Sequence, residues 1–77
     1  MLTDKQETMI LLKIEEIRRA STNKLALHKN DVVCKFLNML NAFGFLTAEK
    51  YRELDERRYC ALMKIDYRGK CYEQTLP

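Results

Sequence analysis

The segment Asn41-Ala42-Phe43-Gly44-Phe45-Leu46-Thr47-Ala48-Glu49 decides how this chain folds. Gly44 suits the left-handed residue that follows a helix, because glycine takes positive φ without a Cβ clash, and Phe45 then fills the apolar position after it. Thr47 is a natural N-cap, with Glu49 in the first turn to complement the helix dipole. Leu46, just before the cap, is placed to staple onto Tyr51. One helix that stops at Gly44 and another that starts after Thr47 make a tight antiparallel hairpin.

Downstream, the spacing predicts a helix from Ala48 to about Ile65. Tyr51, Leu54, Ala61, Leu62 and Ile65 form its buried stripe. Its other face, Glu49, Lys50, Arg52, Glu53, Asp55, Glu56 and Arg57, reads as solvated, with weak ion pairs at i,i+3 and i,i+4. Upstream, a helix is expected from Asp31 to about Phe43. Val32, Val33, Phe36, Leu37, Met39, Leu40 and Phe43 leave only Lys35, Asn38 and Asn41 as a polar strip, which places this helix in the centre of the fold.

The first helix is expected over 4–20. Thr3 and Gln6 match a capping box, and Met9, Ile10, Ile14, Ile17 and Ala20 share a stripe that excludes Leu11 and Leu12. Ser21-Thr22-Asn23 breaks the pattern. Residues 24–30 admit two readings, a connector or the start of the second helix near Thr22. The pair Asn30-Asp31 makes a good N-cap and favours the connector. Residues 1–66 then form a single helical domain, and 67–77, with a turn at Arg68-Gly69, a mobile tail.

Composition agrees. The 77 residues are 47% hydrophobic and 32% charged, with two glycines and one proline, too few turn residues for a β-rich fold. The fold class is all-α, a small three-helix bundle in which helices 2 and 3 form the hairpin. So short a core supplies only roughly 3–5 kcal/mol, so packing or association has to help. The polar start Met1-Leu2-Thr3-Asp4-Lys5 has no signal-peptide core, and the longest apolar run, Met9-Ile10-Leu11-Leu12, is far too short for a membrane span. A cytoplasmic protein is expected.

Nothing in the chain assembles a catalytic set. The one histidine, His28, sits beside Lys29, and Ser21 has no base nearby. His28, Cys34, Cys60 and Cys71 have ligand chemistry for zinc, but lack the paired spacing of structural sites. No enzyme activity, small-molecule substrate, metal or cofactor is expected. Cys34 and Cys60 read as small core residues, and Cys71 leaves a weaker redox-sensing option.

What remains is surface. Leu2, Leu11, Leu12, Leu25, Leu27, Val33, Met39, Phe45 and Met63 are more apolar groups than three short helices bury easily. Of these, Leu11, Leu12, Leu25, Leu27, Val33, Met39 and Phe45 are the candidate protein interface, for a partner protein or a homodimer. The alternative is a small nucleic-acid-binding regulator. Arg18, Arg19, Lys24, Lys29 and Lys35 form one basic cluster, and Arg57, Arg58, Lys64, Arg68 and Lys70 a second, interleaved with tyrosines. As a DNA-reading helix, helix 3 would bring Glu49, Glu53, Asp55 and Glu56 against phosphates, so a plain αα-hairpin is the better reading of the turn.

Overall fold

The computed structural model describes residues 2–67. It contains α1 (Asp4–Arg18), α2 (Asn23–Ala42) and α3 (Ala48–Met63), and each helix packs against both others. The expected all-α three-helix bundle is the fold, with α2 and α3 as its hairpin. Residues 68–77, which include Cys71 and the cations Arg68 and Lys70, lie outside the described residues.

Local chemistry sets most of the boundaries. At the start of α1, Thr3 Oγ1 accepts from the Gln6 N–H (3.1 Å) and Gln6 Oε1 accepts from the Thr3 N–H (3.0 Å), the reciprocal capping box. At the hairpin, Gly44 has φ +80°. Its N–H donates to the Asn41 carbonyl (3.1 Å), and the Phe45 N–H donates to the Leu40 carbonyl (2.9 Å). These are the two bonds of a Schellman motif. Thr47 Oγ1 then accepts from the Lys50 N–H at 3.0 Å to open α3. Leu46 is buried, and Tyr51 packs against the same core.

The second helix begins earlier than the Asn30-Asp31 pair suggests. Thr22 is extended and its Oγ1 accepts from the Leu25 N–H at 3.1 Å, so α2 runs without interruption for 20 residues from Asn23. Lys24, Leu25 and Ala26 are strong helix formers, and Ala26 is buried, so packing rewards the extension. Asn30 and Asp31 have other uses. Asn30 Oδ1 accepts from Arg58 Nη1 of α3 at 2.6 Å, and Asp31 pairs with Lys35 at 3.1 Å.

The core is a column of Ile10, Ile14 and Ile17 from α1, Ala26, Val33 and Leu37 from α2, and Leu54 and Ala61 from α3, closed by Leu46. Helix α2 is therefore not central. One face enters the core, while Val32, Phe36, Met39 and Phe43 stand exposed. Met9, expected in the buried stripe of α1, is exposed too, and Cys34 and Cys60 are half-buried free thiols. Three short helices offer each other one face apiece, so a second apolar face has nothing left to pack on.

Helix α3 ends at Met63, two residues short of the expected Ile65. Lys64 turns left-handed (φ 59°), with its N–H donating to the Ala61 carbonyl (3.2 Å) and that of Ile65 to the Cys60 carbonyl (2.9 Å). Lys64 Nζ donates to the Arg18 carbonyl (2.7 Å), and Arg18 Nη1 donates to the Ile65 carbonyl (2.8 Å). The C-terminal ends of α1 and α3 are clasped in both directions.

Candidate protein-docking groove

The exposed apolar residues Met9, Val32 and Phe36 line one seam. Where α1 crosses α2, an open groove of about 310 Å³ runs between them. Leu2, Gln6, Met9 and Lys13 make one wall, Val32, Phe36 and Leu40 the other, and Ile10 and Val33 the floor. Along α2 the same wall continues as an exposed row, Leu25, Val32, Phe36, Met39 and Phe43, the last 70% exposed. With Lys29 included, the row steps by 4, 3, 4, 3 and 4 residues, the spacing that presents one stripe to a neighbouring helix.

The groove is not apolar to its end. A smaller hollow of about 160 Å³ adjoins it, sharing Lys13, Val32 and Val33 and adding Glu16, His28 and Lys29. Lys29 Nζ reaches Glu16 Oε1 at 3.7 Å, a loose pair. Lys13 and His28 are exposed and make no ion pair with a described residue. The apolar groove thus opens at one end onto a predominantly basic hollow.

The other two seams are closed by polar contacts. Lys50 Nζ on α3 lies 3.0 Å from Glu7 Oε2 on α1 and 3.2 Å from Glu53 Oε1 on its own helix. The hydrogen bonds to Glu7 and then Glu53 hold the Lys50 ammonium above the ordinary lysine range. Burial pushes the Glu53 carboxyl up, but hydrogen bonds from Lys50 and Arg57 outweigh it and hold the group below the usual glutamate range. Arg57 also stacks over the Tyr67 ring, 4.3 Å from its centroid. Between α2 and α3, Tyr51 Oη donates to Asn38 Oδ1 at 2.6 Å, beside the Arg58–Asn30 bond.

The candidate interface residues disperse. Leu25 and Met39 lie on the exposed row of α2. Leu12 is exposed one turn beyond Met9 on α1, whereas Leu11 is half-buried against the core. Val33 is only 4% exposed, and so belongs to the core and merely floors the groove. Leu27 is exposed on another side of α2, and Phe45 in the hairpin turn. Leu2, counted with the surplus apolar surface, lines the groove, while Met9, Val32, Phe36 and Phe43 are groove or row residues that sequence reasoning assigned to buried faces. The signal was present in the two-sided apolarity of the second helix.

Many of the candidate nucleic-acid contacts are already engaged. Arg58 pairs with Asp55, Arg57 with Glu53, Arg18 with Glu15, Lys29 with Glu16 and Lys35 with Asp31, while Lys64 caps α1. Arg19 and Lys24 are exposed without an ion pair to a described residue. The described residues bring His28, Cys34 and Cys60 into no group of metal-ligating side chains. No helix among them is long and apolar enough to cross a membrane. No protein-family model, curated protein or solved structure matches the chain.

Proposed function

We propose that this protein is a non-catalytic interaction module that docks the α1–α2 groove onto a helical face of a partner protein or of a second copy of itself. The observation that carries the reading is the exposed apolar row of α2 beside an open apolar groove. Fully burying an exposed phenylalanine or methionine contributes about 1.5–3 kcal/mol, and Met9, Phe36 and Phe43, still 58%, 42% and 70% exposed, keep roughly half or more of that as driving force for association. Monomers seldom leave contiguous apolar patches of this kind uncovered. The cytoplasm is the proposed setting, since it keeps free thiols such as Cys34 and Cys60 reduced.

Light scattering after size exclusion, with hydrophobic-dye fluorescence, tests the reading on the full chain, Phe36→Glu and Leu27→Glu. Both substituted residues are exposed on α2 and lie outside the buried core, and circular dichroism checks that both variants keep the wild-type helicity. Dye binding or self-association that Phe36→Glu loses and Leu27→Glu keeps is the expected result. Identical behaviour of all three proteins at unchanged helicity counts against it.

A second reading, nucleic-acid binding, draws on Arg19 and Lys24 near the α1–α2 junction, exposed and without an ion pair to a described residue, with Lys13 and His28 close by in sequence. It requires affinity that falls steeply with salt, and that reversing Arg19 and Lys24 abolishes. Nuclease-treated and untreated protein with the same 260/280 nm absorbance ratio would remove it.

A further inference from the structure

We infer that the occupant of the groove is an amphipathic helix of another protein, carrying a carboxylate about two turns from its apolar anchor. The inference rests on the docking reading above and specifies the partner. The shape comes first. The row on α2 has the 4-3 spacing that a neighbouring helix reads, and the groove lies between two helices, where a further helix completes a four-helix layer. From His28 to Leu40 the trough follows α2 for about 18 Å, three turns of a docked helix.

The charge comes second. The anchor sits over Phe36, the basic hollow joins the groove at Lys13, Val32 and Val33, and its basic residues on α2, His28 and Lys29, lie about two turns from Phe36. Among the described residues Glu16 is the only acid lining that hollow, and it already faces Lys29. Lys13, which belongs to both groove and hollow, is the cation an incoming carboxylate meets first.

The same charges disfavour a second copy of this chain. Parallel pairing of two α2 rows sets Lys29 against the copy's Lys29. Antiparallel pairing with Val32 on the copy's Phe36 sets Lys29 against Met39 and brings the two Lys35 side chains together. Each arrangement brings lysines together or against apolar groups and adds no acid from the copy beyond Glu16 and Asp31, which Lys29 and Lys35 already hold within one chain.

A displayed library of 18-residue helical peptides, randomised at all surface positions and selected on the full chain, tests the partner chemistry. Clones that also bind Phe36→Glu are discarded. Enriched peptides should carry apolar anchors at i, i+4 and i+7 and an Asp or Glu about seven residues along. Lys13→Glu should weaken such a peptide roughly fivefold to tenfold, and a peptide with the acid changed to lysine should regain affinity for that variant. Enriched peptides without an acidic bias, or indifferent to Lys13→Glu, overturn the inference while leaving the docking reading intact. A wild-type dimer that Phe36→Glu disperses also overturns it, because the second copy then holds the groove. Failure to recover any peptide that distinguishes Phe36→Glu from wild type removes both.

Discussion

Helix α2 is two helices in one: its inner face carries Ala26, Val33 and Leu37, all buried, and its outer face carries Val32, Phe36, Met39 and Phe43, all exposed. By hydrophobicity alone the outer face has the better claim to the core. The distinction lies in the neighbours. Around the inner face, α3 closes its seams with Lys50–Glu7, Arg58–Asn30 and Tyr51–Asn38. Along the outer face, the α1–α2 seam has one loose ion pair, Lys29–Glu16. Polar clasps fix which faces meet, and the uncommitted apolar face is left for something outside the chain.

Core truncation breaks this contrast most strongly. Leu54 is wholly buried among all three helices. Leu54→Ala should cost about 2–5 kcal/mol in urea unfolding followed by circular dichroism, enough to unfold much of so small a domain. Phe36→Ala, which removes a larger but 42% exposed side chain from the outer face, should cost less, about 1 kcal/mol. Comparable losses in the two variants would mean that the outer face is part of the folding core.

Arg58 gives the next effect in size. Its side chain is 13% exposed and holds both Asn30 and Asp55. Arg58→Ala should cost about 1–3 kcal/mol, because it strands Asn30 Oδ1 and opens the α2–α3 seam. A loss below about 0.3 kcal/mol by the same unfolding measurement would show that the seam is held by apolar packing alone.

How far the sequence already disclosed these features depended on the range of the forces involved. The hairpin was legible because Gly44, Phe45, Leu46 and Thr47 specify it within a few residues. The capping box of Thr3 and Gln6 was legible for the same reason. The start of α2 was not. Thr22 and Asn30 are both competent N-caps, and the choice falls to long-range contacts, with Ala26 entering the core and Asn30 answering Arg58 from 28 residues away. The groove escaped in a similar way. Surplus apolar surface was plain from composition, but with apolar residues on both sides of α2, local pattern does not say which side turns inward. Leu25 and Met39 were placed on the surface correctly, while Val33 was taken for surface and Phe36 for core.

The ion-pair seam predicts a smaller effect with a definite pH signature. Glu53 is held below its ordinary pKa, so its contribution is present above the unfolded carboxylate value. It declines as pH drops through the usual glutamate range and is gone below the depressed value. Lys50 is held above its ordinary pKa, so its contribution is complete below the unfolded lysine value and is lost as pH climbs past the raised one. Stability should therefore be flat near neutrality and fall on both sides. In thermal melts across pH, Glu53→Gln should flatten the acid limb and lose part of the alkaline one, since Lys50 keeps Glu7. An acid limb unchanged by Glu53→Gln would assign that limb to other carboxylates.

The smallest effect compares two left-handed residues. Gly44 and Lys64 end α2 and α3 with the same pair of backbone hydrogen bonds, yet only one is glycine. At Gly44 nothing lies within 4 Å of a would-be Cβ, so Gly44→Ala meets backbone strain alone and should cost about 1 kcal/mol. Lys64 already bears that strain, and its ammonium bond to the Arg18 carbonyl is the contact that offsets it. Lys64→Ala should therefore destabilise by about 1 kcal/mol, losing the bond and keeping the strain. Lys64→Gly loses the bond but relieves the backbone, and should fall within about 0.5 kcal/mol of wild type. If Lys64→Gly instead proves more stable than wild type by about 1 kcal/mol, the Lys64 bond of the α1–α3 clasp contributes nothing. The left-handed lysine would then be an uncompensated fault at the end of the fold opposite the hairpin.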